Sequence, residues 1–165
     1  VNANSTIFSG TGGSGICASY NSTIDARNAD ASGASGYCIA AIQNSTINAN
    51  SANASGSGMR NIYAMQGSTI NANNADASGA SEYCIAAMQG STINASSANA
   101  SGSGKYGIAA SYGSIINAYN ADASEAGIDY YGIIVTHGSI INACGATGTL
   151  SQTKNTITIS GIIFK

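Results

Sequence analysis

The sequence predicts an all-β chain wound as a single-stranded parallel β-solenoid, with about 23 residues and three short strands in each of six to seven coils. Three observations carry this. The stretch Ser-Thr-Ile-Asn-Ala, complete at Ser68–Ala72, has its first Ser repeated at Ser22, Ser45, Ser68, Ser91 and Ser114, always 23 residues apart; a variant opening at Ser139 follows after 25. Apolar and polar residues alternate inside each short segment, which is the period of a strand rather than a helix. Gly clusters such as those at Gly79 and Gly90 fall between the segments, where corners need positive φ. The abundance of Gly, Ala, Ser and Asn would otherwise suggest disorder. Disordered chain has no reason to hold Ile in register. The crossover rule favours a right-handed coil.

Taken in order, the chain begins with what reads as a shortened first coil, 5–21. Ser5-Thr6-Ile7 matches the repeat strand, and Ser9–Gly15 stands as a loop where the middle strand belongs. The chain does not begin with Met and carries no signal peptide, which suggests a processed product or a piece of something longer. Its first strand would expose an edge that invites pairing. From Ser22 onward, residues can be numbered by their place after the opening Ser. Place 3 is Ile in every coil (Ile24, Ile47, Ile70, Ile93, Ile116, Ile141), and place 18 is Ile39, Ile62, Ile85, Ile108 and, after a two-residue insertion, Ile133. Places 5, 8 and 10 are Ala. The three expected strands are Ser-Thr-Ile-Asn-Ala, then Asn-Ala-Asp-Ala-Ser, then Tyr-Cys-Ile-Ala-Ala-Met-Gln. Pairing between coils then stacks like on like, including a ladder of Asn48, Asn71 and Asn94. Place 9 alternates Asp30, Asn53, Asp76, Asn99, Asp122. The larger unit is therefore two coils, and like charges are kept off adjacent strands. Residues 1–148 form the solenoid, and 149–165 read as a terminal coil or cap in which Asn155–Ser160 alternates as a strand.

Charged residues are 7% of the chain and net charge is −2, with five scattered cations. That excludes nucleic acid as a partner, because phosphate neutralisation needs clustered Lys and Arg. No apolar run is long enough for a membrane-spanning helix. Cys38 and Cys84 share a place two coils apart, about 10 Å, which is beyond disulfide reach. Cys17 and Cys144 lie at different places. All four thiols are expected to be free, with no metal spacing and no cofactor.

The third strand carries the most information. If Ile85 and Ala87 face inward, strict alternation sends Cys38, Ile42, Tyr63, Met65, Cys84, Met88 and Ile134 outward, with Ala40, Ala86 and Ala109 among them. An outward apolar strip several coils long marks an association surface, or else lies under a loop or under the C-terminal segment. The expected partner is a second copy of the chain, as homo-oligomer or filament. On the first strand, Thr23, Thr46, Thr69 and Thr92 form a rank beside Asn48, Asn71 and Asn94. A flat, weakly charged Thr rank is a surface for ice or glycan. Tyr37, Tyr83, Tyr106 and Tyr131 share a place and make either a stabilising stack or a carbohydrate platform. Asp30, Asp76 and Asp122 would lie about 10 Å apart, too far for a glycosidase pair. Glu82 and Asp129 sit at Gly-rich corners where a second acid could meet them. His137 is a lone surface histidine. The sequence thus predicts no enzyme; a glycan-cleaving activity is the least favoured alternative.

The block Gly-Tyr-Cys-Ile-Ala-Ala-Ile-Gln, Asn-Ser-Thr-Ile-Asn-Ala, Asn-Ala-Asp-Ala-Ser-Gly-Ala-Ser resembles the repetitive parallel β-helix segments of phage tail spikes, tail fibres and bacterial surface adhesins. The resemblance covers about residues 16–148 and rests on coil length and residue type. It implies a right-handed, often trimeric parallel β-helix located outside the cell, on its surface or on a virion, which binds or cuts surface glycans. The expected role is the self-associating shaft of a fibre or spike.

Overall fold

A computed structural model describes residues 1–148, 150–151 and 162–164. The described residues form a β-solenoid of two parallel sheets, each seven-stranded, and contain no helix. One sheet stacks β1 (Ile16–Ala18), β3 (Tyr37–Ile42), β5 (Arg60–Met65), β7 (Tyr83–Met88), β9 (Tyr106–Ser111), β11 (Ile133–Val135) and β13 (Leu150–Ser151) in that order. The other stacks β2 (Thr23–Asp25), β4 (Thr46–Asn48), β6 (Thr69–Asn71), β8 (Thr92–Asn94), β10 (Ile115–Asn117), β12 (Ile140–Asn142) and β14 (Ile162–Phe164).

The register is like on like. Ile47 pairs with Ile70 and Ile70 with Ile93, while Ile39 pairs with Ile62 and Ile62 with Ile85. Both Ile columns are sealed inside the coil, and each such side chain contributes about 1.5–3 kcal/mol relative to exposure. The third side is narrower. The expected middle strand reduces to one bridging residue per coil, running Ile7, Asp30, Asn53, Asp76, Asn99, Asp122, Thr147. The cause lies in the side chains at that place. Asp30 Oδ1 accepts the Ser32 N–H at 3.0 Å, and Asp76 does the same with Ser78. This local turn bends the chain away before a ladder can lengthen. The flanking alanines, among them Ala75 and Ala77, are buried and let this side close on the isoleucines.

Each coil turns three corners through left-handed backbone. Asn28, Ser51, Asn74, Ser97 and Asn120 hold the first, with φ between 54° and 57°. The second is glycine at 33, 56, 79 and 102, and Glu125 takes the same conformation at φ 55° in the next coil. The third uses two such residues in succession, for example Gln43-Asn44 and Gln89-Gly90.

The opening serines are structural. Ser45, Ser68, Ser91, Ser114 and Ser139 are buried, and each hydroxyl accepts the backbone N–H of the serine one coil below, at 3.0–3.2 Å. A continuous hydrogen-bond column therefore runs along the axis from Ser22 to Ser139. A second column joins side-chain amides: Asn94 Nδ2 donates to Asn71 Oδ1 at 2.8 Å and Asn117 Nδ2 to Asn94 Oδ1 at 2.7 Å. The expected ladder is thus formed above Asn71, whereas the Asn48 Oδ1 end is buried without a partner.

The first coil differs from the sequence expectation. Asn2 pairs with Asp25, Ile7 with Asp30 and Ile16 with Ile39, an offset of 23 each time. Ser5-Thr6-Ile7 therefore lies on the first corner and third side rather than on a repeat strand, and no segment of this coil is missing. The two-residue insertion is absorbed at a corner. Asn99 bridges Asp122 at an offset of 23, but Ile108 pairs with Ile133 at 25. The extra residues bulge out near Ile128, closed by the Tyr130 N–H on the Gly127 carbonyl at 2.8 Å. At the other end, β13 pairs with β11 and β14 with β12. The strand expected over Asn155–Ser160 lies outside the described residues.

Candidate functional site: the outer face of the long-strand sheet

The strands β3, β5, β7 and β9 are six residues long, and their outer face carries a second apolar cluster distinct from the core. Its centre is Tyr63, only 4% exposed, with Ala86 and Ala109 in the same column. Tyr37, Met65, Tyr83, Met88, Tyr106 and Ile134 pack around them, half-buried. The Tyr63 hydroxyl lies against the sulfurs of Met65 and Met88. A single large ring on a column of alanines is roofed by its neighbours, which is why it is buried on a face that points outward.

Cys38 and Cys84 do not belong to this face, contrary to the sequence expectation. Both are fully buried and belong to the core. Strict alternation fails at the second residue of each long strand, where two successive residues, Cys38 and Ile39, face inward. The ladder records the same break, pairing Tyr37 with Arg60 and Ile39 with Ile62. In register terms the inward place reads Gly15, Cys38, Asn61, Cys84, Gly107, Gly132. It never holds a side chain larger than Asn. Asn61 uses the slot fully: its Nδ2 donates to the carbonyls of Ala77 and Ser78, and its Oδ1 accepts the Ser57 N–H at 2.8 Å. Burial pushes the Cys84 thiol up to about 11 and raises Cys38 as well. The outward positions are taken instead by Tyr37 and Tyr83, one residue earlier. Ile42, Met65, Met88 and Ile134 do lie on the outer face. The column through Ala40 and Tyr63 also begins at Cys17, which is exposed.

The aromatic column is interrupted by a cation. Tyr37, Arg60, Tyr83 and Tyr106 stack in register. The Arg60 guanidinium lies 4.6 Å from the Tyr63 ring centroid and 5.1 Å from that of Tyr83, within cation–π range. Tyr37 stacks on Tyr63 at 5.2 Å and Tyr83 on Tyr106 at 5.5 Å. Tyr130 meets Tyr106 edge-on at 5.1 Å, while Tyr131, one residue before Gly132, keeps the place in register with Tyr106. Glu82 closes the border of the face. Its carboxylate lies 2.9 Å from Lys105 Nζ and 3.6 Å from Arg60 Nη2, so its partners are cations rather than a second acid.

At the far end the face dips. The column Ile42, Met65, Met88 gives way to Ser111 in β9. A depression of about 270 Å³ opens there, walled by Tyr83, Tyr106, Met88 and Ile134 with Ala109 and Ser111 among its lining. Tyr112 and His137, stacked at 4.2 Å, stand at its rim.

On the other sheet, Thr23, Thr46, Thr69 and Thr92 pair one above another and turn into Ile115 and Ile140 as the sequence requires. Thr46, Thr69 and Thr92 are half-exposed, beside the Asn48, Asn71 and Asn94 rank. The Asp122 carboxyl is held below the usual carboxylate range, chiefly by the Thr147 hydroxyl and then the Ser124 N–H; Asp30 is lowered by Ser32. Among the described residues, no group of three or more His, Cys, Asp or Glu is placed to hold a metal ion. No helix among them is long and apolar enough to cross a membrane. The chain matches no protein-family model, and no curated protein matches it.

Proposed function

We propose that this chain is a structural rod that associates with further copies of itself through the outer face of the long-strand sheet. In that role it is the shaft of an extracellular or virion fibre or spike serving attachment. The observation that carries this reading is the Tyr63 cluster. It is an ordered, aromatic and apolar surface spread over five strands and bordered by one Glu82 network. Patches of this kind mark contact sites, and the enrichment in Tyr, Met and Arg matches what contact surfaces use. The likeness to spike and fibre segments supports a location outside the cell. Sedimentation velocity across a concentration series tests the reading. Concentration-dependent association that is lost in Met65→Asp is expected, and a wild-type chain that stays monomeric at millimolar concentration overturns it.

The Thr rank favours a second reading, an ice- or glycan-binding face. Its support is the regular one-strand spacing of Thr23, Thr46, Thr69 and Thr92 beside amides fixed by their own ladder. A thermal hysteresis assay on wild type and Thr69→Tyr separates the ice version from the first reading.

A further inference from the structure

We propose that Ile128 of one copy seats in the depression beside Tyr106 of a second copy, each chain giving one knob and receiving one about a two-fold axis. This rests on the self-association reading and supplies its geometry. Ile128 is fully exposed at the tip of the bulge that the insertion creates. A large apolar side chain wholly in water is costly, by the same burial scale that stabilises the core. The bulge is not a loose tail. The Tyr130 N–H closes it on Gly127, and the Tyr130 ring locks edge-on against Tyr106. Tyr106 is also a wall of the depression. Tyr106 therefore links the two, as a wall of the hole and the ring against which the base of the knob packs.

The hole suits an apolar knob. No Asp, Glu, Lys or Arg lines it; Tyr83, Met88, Tyr106 and Ile134 supply the apolar walls, beside the polar Ser111, Thr136 and His137. It exists because Ser111 and Ala109 replace the bulk that Met88, Met65 and Tyr63 supply in earlier coils. Coil six alone carries the insertion among the repeats opening at 22 through 114, so each chain has one such knob. An adjacent knob and hole on one surface are self-complementary, as a two-fold contact demands, and the contact closes at two chains.

The experiment compares wild type, Ile128→Asp and Ser111→Met by sedimentation velocity, with far-UV circular dichroism as a check on folding. Ser111→Met continues the Ile42–Met65–Met88 column and fills the hole without touching the core. A wild-type dimer is expected, weakened tenfold or more in each variant while the melting temperature holds. Cysteine pairing gives the direct readout. Ile128→Cys with Ser111→Cys, in a Cys17→Ser, Cys144→Ser background, should oxidise to a covalent dimer. If wild type associates and both single variants associate equally well, the knob-and-hole contact falls while the self-association reading stands. If wild type never associates, both fall. Open-ended polymers in place of dimers overturn the closed two-fold.

Discussion

Replacing Ser68 with Ala tests whether the buried hydroxyl column holds the coils together. Ser68 is 1% exposed, and its Oγ accepts the Ser45 N–H at 3.1 Å. Ser68→Ala removes no bulk and opens no large cavity. It leaves the Ser45 N–H, itself sealed between coils, without an acceptor. An orphaned buried donor costs about 1–3 kcal/mol. For a chain of this length that lowers the melting temperature by roughly 2–4 °C for each kcal/mol. Ser22→Ala is the control, because Ser22 is exposed and such a change stays within about 0.5 kcal/mol. Thermal and urea melts followed by circular dichroism give the stability difference. Hydrogen exchange at the Ser45 amide reads the same bond locally, which matters in a stacked array whose ends can open separately. The paired variant Ser45→Ala, Ser91→Ala spans two coils, about 10 Å, and its effects should add within about 0.5 kcal/mol. The reasoning is refuted if Ser68→Ala costs no more than Ser22→Ala and leaves Ser45 exchange unchanged.

Three further outcomes follow from the inward place on the long strands. A water-soluble thiol reagent should modify Cys17 and Cys144 in the native chain and Cys38 and Cys84 only after unfolding; fast native labelling of Cys84 would contradict its burial. With the Cys84 thiol raised to about 11, the unfolded chain loses its proton near pH 9 while the folded chain keeps it. Stability should therefore fall between about pH 9 and 11, by roughly 3 kcal/mol, and Cys84→Ala should flatten that slope. Gly107→Ala should destabilise the chain by about 1–3 kcal/mol. A Cβ there would come within 2.9 Å of the Gly132 and Ala100 carbonyl oxygens and the Ala123 Cβ. A melting temperature equal to wild type would mean that the slot is wider than drawn.

The coil and its register were legible because Ile recurs at two places in every repeat, and a parallel in-register stack is the arrangement that buries both columns. The outer face was legible at Met65, Met88, Ile42 and Ile134 for the same reason. Cys38 and Cys84 are not, since strict alternation breaks at the second position of these strands, where two successive residues face inward. The run Gly15, Cys38, Asn61, Cys84, Gly107 was the available signal: a place that tolerates nothing large faces a closed space. The first coil is hard to read because Ser5-Thr6-Ile7 imitates the repeat strand. Reading Val1-Asn2-Ala3 against Ile24-Asp25-Ala26 restores the constant offset. The serine column left no such trace, because a serine that opens each repeat looks the same whether it caps a turn in water or accepts a bond inside. Arg60 reads in the sequence as one of five scattered cations, and its distance to three rings is what gives it a role.

The bulge at Ile128 has a consequence for how much this fold can carry. Two added residues leave Ile108 paired with Ile133 and Ile115 with Ile140, although β11 after the bulge is three residues long against six in β9. The circumference of a winding is thus independent of its pitch at that one vertex. Longer segments grafted there would project sideways at a fixed height along the axis, so the molecule can acquire new contacts by lengthening one bend while every rung stays where it is.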